Sequence, residues 1–305
     1  MIRIGIALGT FALLISGCTN TPKTSGANKV TQDAYVASIN QWHHEREANL
    51  KSEEGWLSLA GLFWLQEGIN TFGSDKSNDL VFPEGKLPAN VGDFILDGGN
   101  VKLVISDTAS VLVEGKPVKE ALVFTPTMQH APVMRYGTLS WFVIKRGDKY
   151  GIRLRDTDSE ARKHFAGITR YPVSAAWKLK AKLEPNPFPK QIAITNILGQ
   201  TTQEDSPGTL VFETEGQEHR LDALQEGDKL FVIFADKTNG TETYGAGRYL
   251  YADLPNDTGD TILDFNKATN PPCAFVPYAT CPLPPKQNFL SIEVPAGEKA
   301  YEAEH

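Results

Sequence analysis

The sequence predicts a mainly β protein, built from antiparallel sandwich or barrel-like halves with one N-terminal amphipathic helix. Short apolar runs recur between Gly68 and Leu122, at roughly the ten-residue spacing that is typical of antiparallel strands. Gly, Pro, Asn and Asp separate these runs, and the 26 Gly and 19 Pro of the chain supply turns between strands. No long helical pattern follows residue 52.

The composition is that of a folded globular chain. Of the 305 residues, 41% are hydrophobic and 22% are charged, which suits one large domain or two ordinary ones. The formal net charge is −7, and no cluster of Lys and Arg is visible. Because non-specific nucleic-acid binding depends on such clusters, nucleic acid is not a predicted partner.

Residues 1–17 have the pattern of a secretory signal peptide. Arg3 is followed by an apolar run from Ile4 to Ile15 that is short for a bilayer span. Ile15 and the next residues, Ser16-Gly17-Cys18, resemble a bacterial lipobox. That resemblance implies cleavage before Cys18 and lipidation of its thiol, which makes the membrane a partner. An uncleaved anchor, or an ordinary signal with a chance cysteine, is the alternative.

Residues 18–30 comprise the lipidated cysteine and a polar tether that is rich in Ser, Thr and Asn. No other segment reaches the roughly 18 consecutive apolar residues of a membrane helix. We therefore expect an exported lipoprotein of the cell envelope. It would be anchored to the bacterial cell membrane, inner or outer, with its folded part in the periplasm or outside the cell.

Residues 31–53 are predicted to form the amphipathic helix. Thr31 can cap its N-terminus, and Tyr35, Ile39 and Trp42 repeat at roughly helical spacing. His43 and Glu47 lie on one face of this helix and could bind a metal together, but two ligands do not make a site. Surface polar positions are the better interpretation of both residues.

Two β halves follow, at residues 54–124 and 133–301. The second half contains a segment rich in Pro and Cys, residues 264–285, which we call the closing segment. Alternation around Gly147-Asp148 predicts a hairpin, and residues 177–183 alternate as a half-exposed strand.

The stretch around Gly73 resembles forkhead-associated domains in its strand layout. Those domains read phosphothreonine with an arginine after the glycine and with a Ser-x-x-His motif. Here Ser74 follows Gly73 and no such His occurs. Phosphopeptide binding therefore does not carry over to this sequence.

Cys273 and Cys281 are the two cysteines that remain after Cys18 takes the lipid. Their spacing fits neither a zinc ribbon nor a thioredoxin-like motif, and no His neighbours them. Paired thiols of exported proteins are more often oxidised, so a disulfide is predicted. Buried free thiols, and a metal-binding or catalytic thiol, are the alternatives. The prolines fix φ and favour a rigid cover over a core, or one wall of a pocket.

Three blocks of the sequence carry a family resemblance. They are the stretch GWLSLAGLFWLQEGINTFGSDKSNDLVFP, the stretch FADKTNGTETYGAGRYLYADL, and the closing segment with its continuation to Tyr301. Together they resemble the DUF1684 family of bacterial proteins, from about Glu54 to Tyr301. That family has no settled activity. The resemblance therefore implies a shared fold and a shared proline-cysteine closing segment, and it transfers no catalytic residue.

Polar residues around these blocks form the candidate site. A guanidinium presents a planar fork of donors to a carboxylate or phosphate, and an Asp can act as a base. His164 is the best candidate for proton transfer near neutral pH. We call this set the polar cluster: Arg162, His164, Asp236, Tyr244, Arg248, Asp264 and Asn266. The alternative is a structural network that ties loops together.

The predicted function is a binding or scaffolding module, with an unknown small-molecule ligand or envelope protein as partner. The competing hypothesis is an enzyme, such as a hydrolase, that acts on a small or carbohydrate-like substrate through part of the polar cluster, namely Arg162, Asp236, Arg248 and Asp264. A pocket lined by two of these side chains would favour the enzyme. The familiar hydrolase, zinc and nucleotide motifs are missing, so no cofactor or metal is predicted.

Overall fold

A computed structural model describes residues 25–301 of the chain, with side chains from residue 31 onward. The predicted signal peptide and the lipidation site Cys18 lie outside the described residues. The fold is mainly antiparallel β with one N-terminal helix, as the sequence predicted. Within residues 25–301, no helix is both long enough and apolar enough to cross a membrane.

The chain from Leu59 to Asp156 forms what we call the N-terminal β unit. Its strands are β1 (Leu59–Trp64), β2 (Gly68–Gly73), β3 (Leu80–Val81), β4 (Gly92–Asp97), β5 (Asn100–Ile105), β6 (Val111–Val113), β7 (Lys116–Val118), β8 (Glu120–Phe124), β9 (Met134–Tyr136), β10 (Leu139–Arg146) and β11 (Lys149–Asp156). One sheet has the order β1-β11-β10-β9-β6-β7, and the other has the order β3-β2-β4-β5-β8. Within this unit only β2 and β3 pair in parallel.

The two sheets share one apolar core. Alternate residues of β4 and β5 are buried, because one face of each strand is turned to that core. Aromatic rings dominate its centre: the ring centroids of Phe72 and Phe94 are 4.6 Å apart, and those of Phe82 and Trp141 are 5.5 Å apart. Edge-to-face and tilted contacts of this kind are the preferred geometry for buried rings.

The boundary between the two halves differs from the one drawn on the sequence. The sequence predicts that the residues of strands β9, β10 and β11 belong to the second half, from residue 133. In the structure, β11 pairs with β1, and Phe63 lies opposite Ile152. Strand β9 pairs with β6, so all three strands belong to the N-terminal β unit. Alternation in a sequence identifies a strand but not its partner.

The second unit is a six-stranded antiparallel sheet that curls into a nearly closed barrel. We call it the C-terminal barrel. Its strands are β12 (Lys178–Thr195), β13 (Thr201–Thr214), β14 (Gln217–Glu226), β15 (Lys229–Phe234), β16 (Arg248–Asp253) and β17 (Asp260–Asp264), in the order β16-β15-β14-β13-β12-β17. The pairing of β12 with β13 shifts register between Pro185 and Lys190, where proline cannot donate a ladder hydrogen bond.

The closing segment packs between the two units. Val276, Ala279 and Cys281 are buried in a cluster with Leu59 of β1 and with Ile233 of β15. The segment therefore covers apolar surface of the barrel and of the strand that opens the N-terminal β unit. The segment thus lies as a cover over a core, and its rigidity stays a prediction.

The helices lie outside the sheets. They are α1 (Ser25–Lys51), α2 (Glu160–Lys163) and the 3₁₀ turns Trp56–Ser58, Ala175–Trp177, Phe265–Lys267, Pro272–Ala274 and Lys286–Asn288. Helix α1 begins six residues before the predicted start, inside the stretch that was interpreted as tether. The side chain of Ser159 caps α2 by accepting a hydrogen bond from the Arg162 N–H.

Helix α1 packs along the C-terminal part of the chain. Tyr35 donates a 2.8 Å hydrogen bond to Asp264, and Arg46 lies 3.2 Å from the buried carboxylate of Glu298. Leu50 joins a small apolar cluster with Leu57 and residues 165–168. The helix thus ties the ends of both units together.

His43 corrects one expectation from the sequence. It was interpreted as a surface residue of α1, but only 4% of it is exposed. Burial lowers the pKa of His43 to about 4, and the nearby cations of Arg170 and Arg46 act in the same direction while Glu47 opposes them. The apolar face of α1 is therefore wider than the spacing of its aliphatic and aromatic residues suggests.

We predict that His43 makes stability depend on pH. Because its folded-state pKa of about 4 is below the ordinary 6.5, the unfolded chain binds an extra proton between these values. The unfolding free energy should then fall by about 3 kcal/mol as the pH drops through this window. Urea unfolding at a series of pH values should show a shallower fall for His43→Leu. The exposed neighbour provides the control His44→Gln, and equal slopes for all three proteins would contradict the assignment.

Candidate functional site

The centre of the polar cluster is a buried ion pair. Arg248, at the start of β16, has no exposed surface, and its Nη2 lies 2.7 Å from Asp236 Oδ2. The guanidinium also donates to the backbone carbonyls of Val294 and Ala296. Its carbon lies 5.2 Å from the ring centroid of Phe234.

The other carboxylate oxygen of Asp236 also accepts hydrogen bonds from inside the protein. Oδ1 accepts hydrogen bonds from the backbone N–H and the hydroxyl of Thr238, at 2.9 and 2.6 Å, and from the Val294 N–H. Asn239 continues the network by donating to the carbonyl of Tyr244. All these contacts stay within the protein, so Asp236 and Arg248 form a structural network.

Asp264 and Asn266 form a second network, at the end of β17. Asp264 accepts hydrogen bonds from the Tyr35 hydroxyl and from the backbone and side-chain amides of Asn266. Asn266 also exchanges hydrogen bonds with the backbone of Ser174, at 2.8 Å in each direction. Both side chains are buried. Their role is to join α1, the segment before β12, and the end of β17.

Arg162 and His164 lie at α2, in a third place. Arg162 donates to the carbonyls of Lys51 and Thr157, which links the end of α1 to the loop before α2. His164 is largely exposed, and its Nδ1 is 3.5 Å from Glu160. Within residues 31–301, no hydrogen bond or ion pair connects Arg162 to Asp236, Arg248 or Asp264. The polar cluster is therefore three separate networks.

The two remaining cysteines are free thiols in the structure, so the predicted disulfide is not present. The Cys273 N–H nevertheless points at the sulfur of Cys281, at 3.0 Å. The hydrogen bond to Cys273 and then burial raise the pKa of the Cys281 thiol. The Tyr244 hydroxyl donates to the carbonyl of Cys273 at 3.4 Å. The thiols are thus close neighbours at the inner side of the closing segment.

A cleft of about 700 Å³ opens between the two units. One wall is the tip of the β10–β11 hairpin, the second is the barrel surface formed by β12 to β15, and the third is the closing segment. Its lining consists of Lys145, Arg146, Gly147, Ile194, Asn196, Gln200, Thr202, Glu204, Asp205, Leu224, Gln225, Glu226, Phe231, Ile233, Thr280 and Pro282. The closing segment is therefore one wall of a pocket, as its prolines suggested.

The cleft has charged rims and an apolar floor. Lys145 and Arg146 stand on the hairpin wall, whereas Glu204, Asp205 and Glu226 stand on the barrel wall. Among the described side chains, no ion pair crosses from one wall to the other. The sequence contained no signal for this set beyond the hairpin turn and the closing segment, because its members come from four distant stretches.

Two smaller cavities contain members of the polar cluster. A groove of about 380 Å³ between α1 and the barrel is lined by Asp264 together with aromatic and Lys side chains. A cavity of about 330 Å³ beside α2 is lined by His164 and Glu47. Neither cavity brings together two of the four proposed catalytic side chains. In the part of the chain with described side chains, no three His, Cys, Asp or Glu residues gather as metal ligands.

We predict that Asp236→Ala lowers the unfolding free energy by about 3–5 kcal/mol, because it leaves the Arg248 charge buried without its partner. Chemical denaturation measures this change. The matched control is Lys102→Ala, which removes the exposed ion pair with Glu120 and should cost far less, because water screens exposed ion pairs. A loss for Asp236→Ala no larger than that of the control would show that the ion pair is not structural.

Several solved structures are similar to part of the chain, and one described family matches part of it. No curated protein matches the chain. An uncharacterized protein of Haloarcula marismortui, solved by solution NMR, is 31% identical, with 45% of this chain and 78% of that chain covered and a TM-score of 0.39. A forkhead-associated (FHA) domain from a study of phosphothreonine-dependent interactions is 19% identical, with 31% of this chain and 92% of that chain covered and a TM-score of 0.22.

The FHA domain of FhaA, solved in complex with the intracellular domain of a second protein, is also 19% identical, with 31% of this chain and 97% of that chain covered and a TM-score of 0.22. Such low TM-scores indicate partial similarity only. Residues 163–299 match the family described as "Protein of unknown function (DUF1684)". This match is shorter than the resemblance from Glu54 to Tyr301, and it covers the C-terminal barrel and the closing segment. Through this region the chain belongs to the DUF1684 family.

Proposed function

We propose that the protein is a membrane-anchored lipoprotein of the cell envelope that binds a small polar molecule in the cleft between its two β units. The observation that supports this proposal is the cleft itself. Its volume of about 700 Å³ lies in the range of about 300–1,000 Å³ that small-molecule sites occupy. Its apolar floor and polar rims are also typical of such sites, which favour junctions between structural units.

The anchor is proposed from the N-terminal sequence. The short basic start, the apolar run and Ser16-Gly17-Cys18 favour export and lipidation at Cys18. A single lipid-bearing cysteine followed by a polar stretch would hold the folded part near a membrane surface. Binding rather than transport through the membrane is the role that suits such an arrangement.

The internal contacts of the polar cluster support a binding module over an enzyme that uses Arg162, Asp236, Arg248 and Asp264. Catalysis by these residues would require them to face a common substrate. Instead, Asp236 and Arg248 neutralise each other inside the protein, and Arg162 holds a loop. The cleft offers polar groups that line open space.

We also propose that Cys273 and Cys281 become a disulfide after export. The Cys281 sulfur lies 3.0 Å from the Cys273 backbone nitrogen, so the two residues are already adjacent. Thiol–disulfide exchange with an oxidised dithiol carrier would form the S–S bond and transfer two hydrogens to the carrier. The bond would fix the closing segment as a wall of the cleft.

Mass spectrometry of exported, never-reduced protein tests the disulfide. We expect residues 19–305 to be about two hydrogens lighter than the same chain made in a reducing compartment. Loop-closure entropy predicts that reduction lowers the unfolding free energy by roughly 2.5 kcal/mol. Two free thiols in the exported protein would contradict this prediction.

A cleft-filling substitution tests the binding function. Thr202 lines the cleft, whereas its neighbour Gln203 on the same strand is exposed and turned to the opposite face. We expect that a library of sugars, amino acids, nucleotides and organic acids, screened by ligand-observed NMR, contains compounds that bind the wild type. Thr202→Trp should abolish this binding, and Gln203→Trp should preserve it. If no compound binds, or if binding is insensitive to Thr202→Trp, the proposal is wrong.

A further inference from the structure

Arg153 of β11 is a buried cation without a counter-ion. Only 5% of the residue is exposed, and its Nε has no hydrogen-bond partner. Within the described part of the chain, its one side-chain hydrogen bond runs from Nη2 to the Thr280 hydroxyl at 3.4 Å, and its guanidinium carbon lies 5.7 Å from the ring centroid of Trp56. Among residues 31–301, no carboxylate forms an ion pair with it.

Burial of a charge in this position makes the free energy of folding less favourable. Proteins normally pair a buried guanidinium with a carboxylate, because removing the charge from water is unfavourable by several kcal/mol. The surroundings of Arg153 add repulsion: burial and then the cations of Arg146 and Arg155 lower its pKa to about 10, and the Cys281 sulfur opposes them. In the same protein, Arg248 shows the usual solution, with Asp236 at 2.7 Å.

Arg153 is not itself a lining residue of the cleft, and its guanidinium reaches the wall through Thr280. Arg146 contacts the same hydroxyl, to which its Nε donates at 3.4 Å, and Arg146 and Thr280 both line the cleft. Both hydrogen bonds are long compared with the usual 2.9–3.0 Å or so. Two guanidinium groups therefore converge on one neutral oxygen, where each of them would prefer an anionic oxygen.

We infer that Arg146, Arg153 and Thr280 form a subsite, here called the anion corner, for one carboxylate or phosphate group of the ligand in the cleft. The inference rests on the proposed function and names the class of ligand. Guanidinium forks bind these planar or tetrahedral anions through paired N–H donors, and the Thr280 hydroxyl supplies a further donor.

The opposite wall limits the charge of the ligand. Glu204, Asp205 and Glu226 line the cleft on the barrel side and would repel a second negative group. The expected ligand therefore carries one anionic group on an otherwise neutral or cationic polar body. A polyanion such as nucleic acid does not fit this distribution of charge.

Arg155 provides a matched control on the same strand and face. Arg155 is only half-buried, and its Nε, like that of Arg153, has no hydrogen-bond partner. Its guanidinium carbon lies 5.1 Å from the ring centroid of Phe142, and it makes no hydrogen bond to Thr280. Removal of Arg155 changes the local charge as much as removal of Arg153 does, but it leaves the anion corner complete.

The test is a titration of residues 19–305 with inorganic phosphate and, separately, with acetate. The arginine Nε–Hε signals are followed by NMR at constant ionic strength, which is maintained with chloride. We expect saturable shifts of the Arg146 and Arg153 signals. Arg146→Gln, Arg153→Gln and Thr280→Val should weaken binding, by about tenfold or more for each arginine, and Arg155→Gln should leave it unchanged. Tighter binding of phosphate would indicate a phosphate ester as ligand, and tighter binding of acetate a carboxylate.

Arg146→Gln keeps the test decisive if Arg153→Gln does not fold, because Arg146 is exposed at the hairpin tip. The anion corner is wrong if neither anion binds, if Arg146→Gln and Thr280→Val bind like the wild type, or if Arg155→Gln loses binding equally. If neutral library compounds bind the wild type and Arg146→Gln but do not bind Thr202→Trp, the cleft remains the binding site and only the anion corner is wrong. If phosphate or acetate binds, but Thr202→Trp abolishes the binding of no library compound, the anion corner stands and the proposed function is wrong.

Discussion

The contact between Arg248 and Asp236 is the interaction on which the second half of the structure depends. It joins the start of β16 to the turn after β15, and its remaining donors hold the carbonyls of Val294 and Ala296. Because the guanidinium is fully buried, the pair must form for the barrel to close around it. The C-terminal stretch that follows the closing segment is thereby fixed against the barrel.

The same constraint positions the closing segment. Gly247, directly before Arg248, has a positive φ of 94°, and a Cβ at this position would collide with Pro284. A glycine is therefore required where the proline-rich chain crosses the start of β16. Once the segment is held there, Thr280 and Pro282 become a wall of the cleft, and the hairpin of the N-terminal β unit becomes the wall opposite the barrel.

The protein contains two kinds of buried arginine, one with an internal counter-ion and one without. The Nε of Arg248, like that of Arg153, has no hydrogen-bond partner, but Arg248 has an internal carboxylate as counter-ion and carbonyl acceptors for its other nitrogens. Arg153 is nearly as buried but has only a neutral hydroxyl. A folded protein gains little from the second arrangement unless an anion completes it. Because of this difference, we infer that the candidate site is the cleft and not the polar cluster.

Local patterns in the sequence predicted local structure well. The alternation around Gly147 and the covering placement of residues 264–285 both have counterparts in the fold. Features that depend on distant partners could not be predicted. The pairing of β1 with β11 moves a unit boundary, and the burial of His43 depends on packing of α1 against remote segments.

The candidate site was harder to predict for the same reason. Polar residues that crowd together in a sequence, such as Asp236 and Arg248, are as often the components of a structural network as of a site. Residues that line the cleft come from the hairpin, two stretches of the barrel and the closing segment. They share no motif, and only the fold shows that Arg153 lacks an anionic partner among residues 31–301.

A crystal structure of residues 19–305, soaked with the library compound that binds best, tests the central claim most directly. The account predicts ligand density in the cleft, with an anionic group between Arg146 and Arg153 and an unchanged pair of Arg248 and Asp236. An empty cleft, with the compound bound in the groove beside Asp264 or inserted between Arg248 and Asp236, would contradict it.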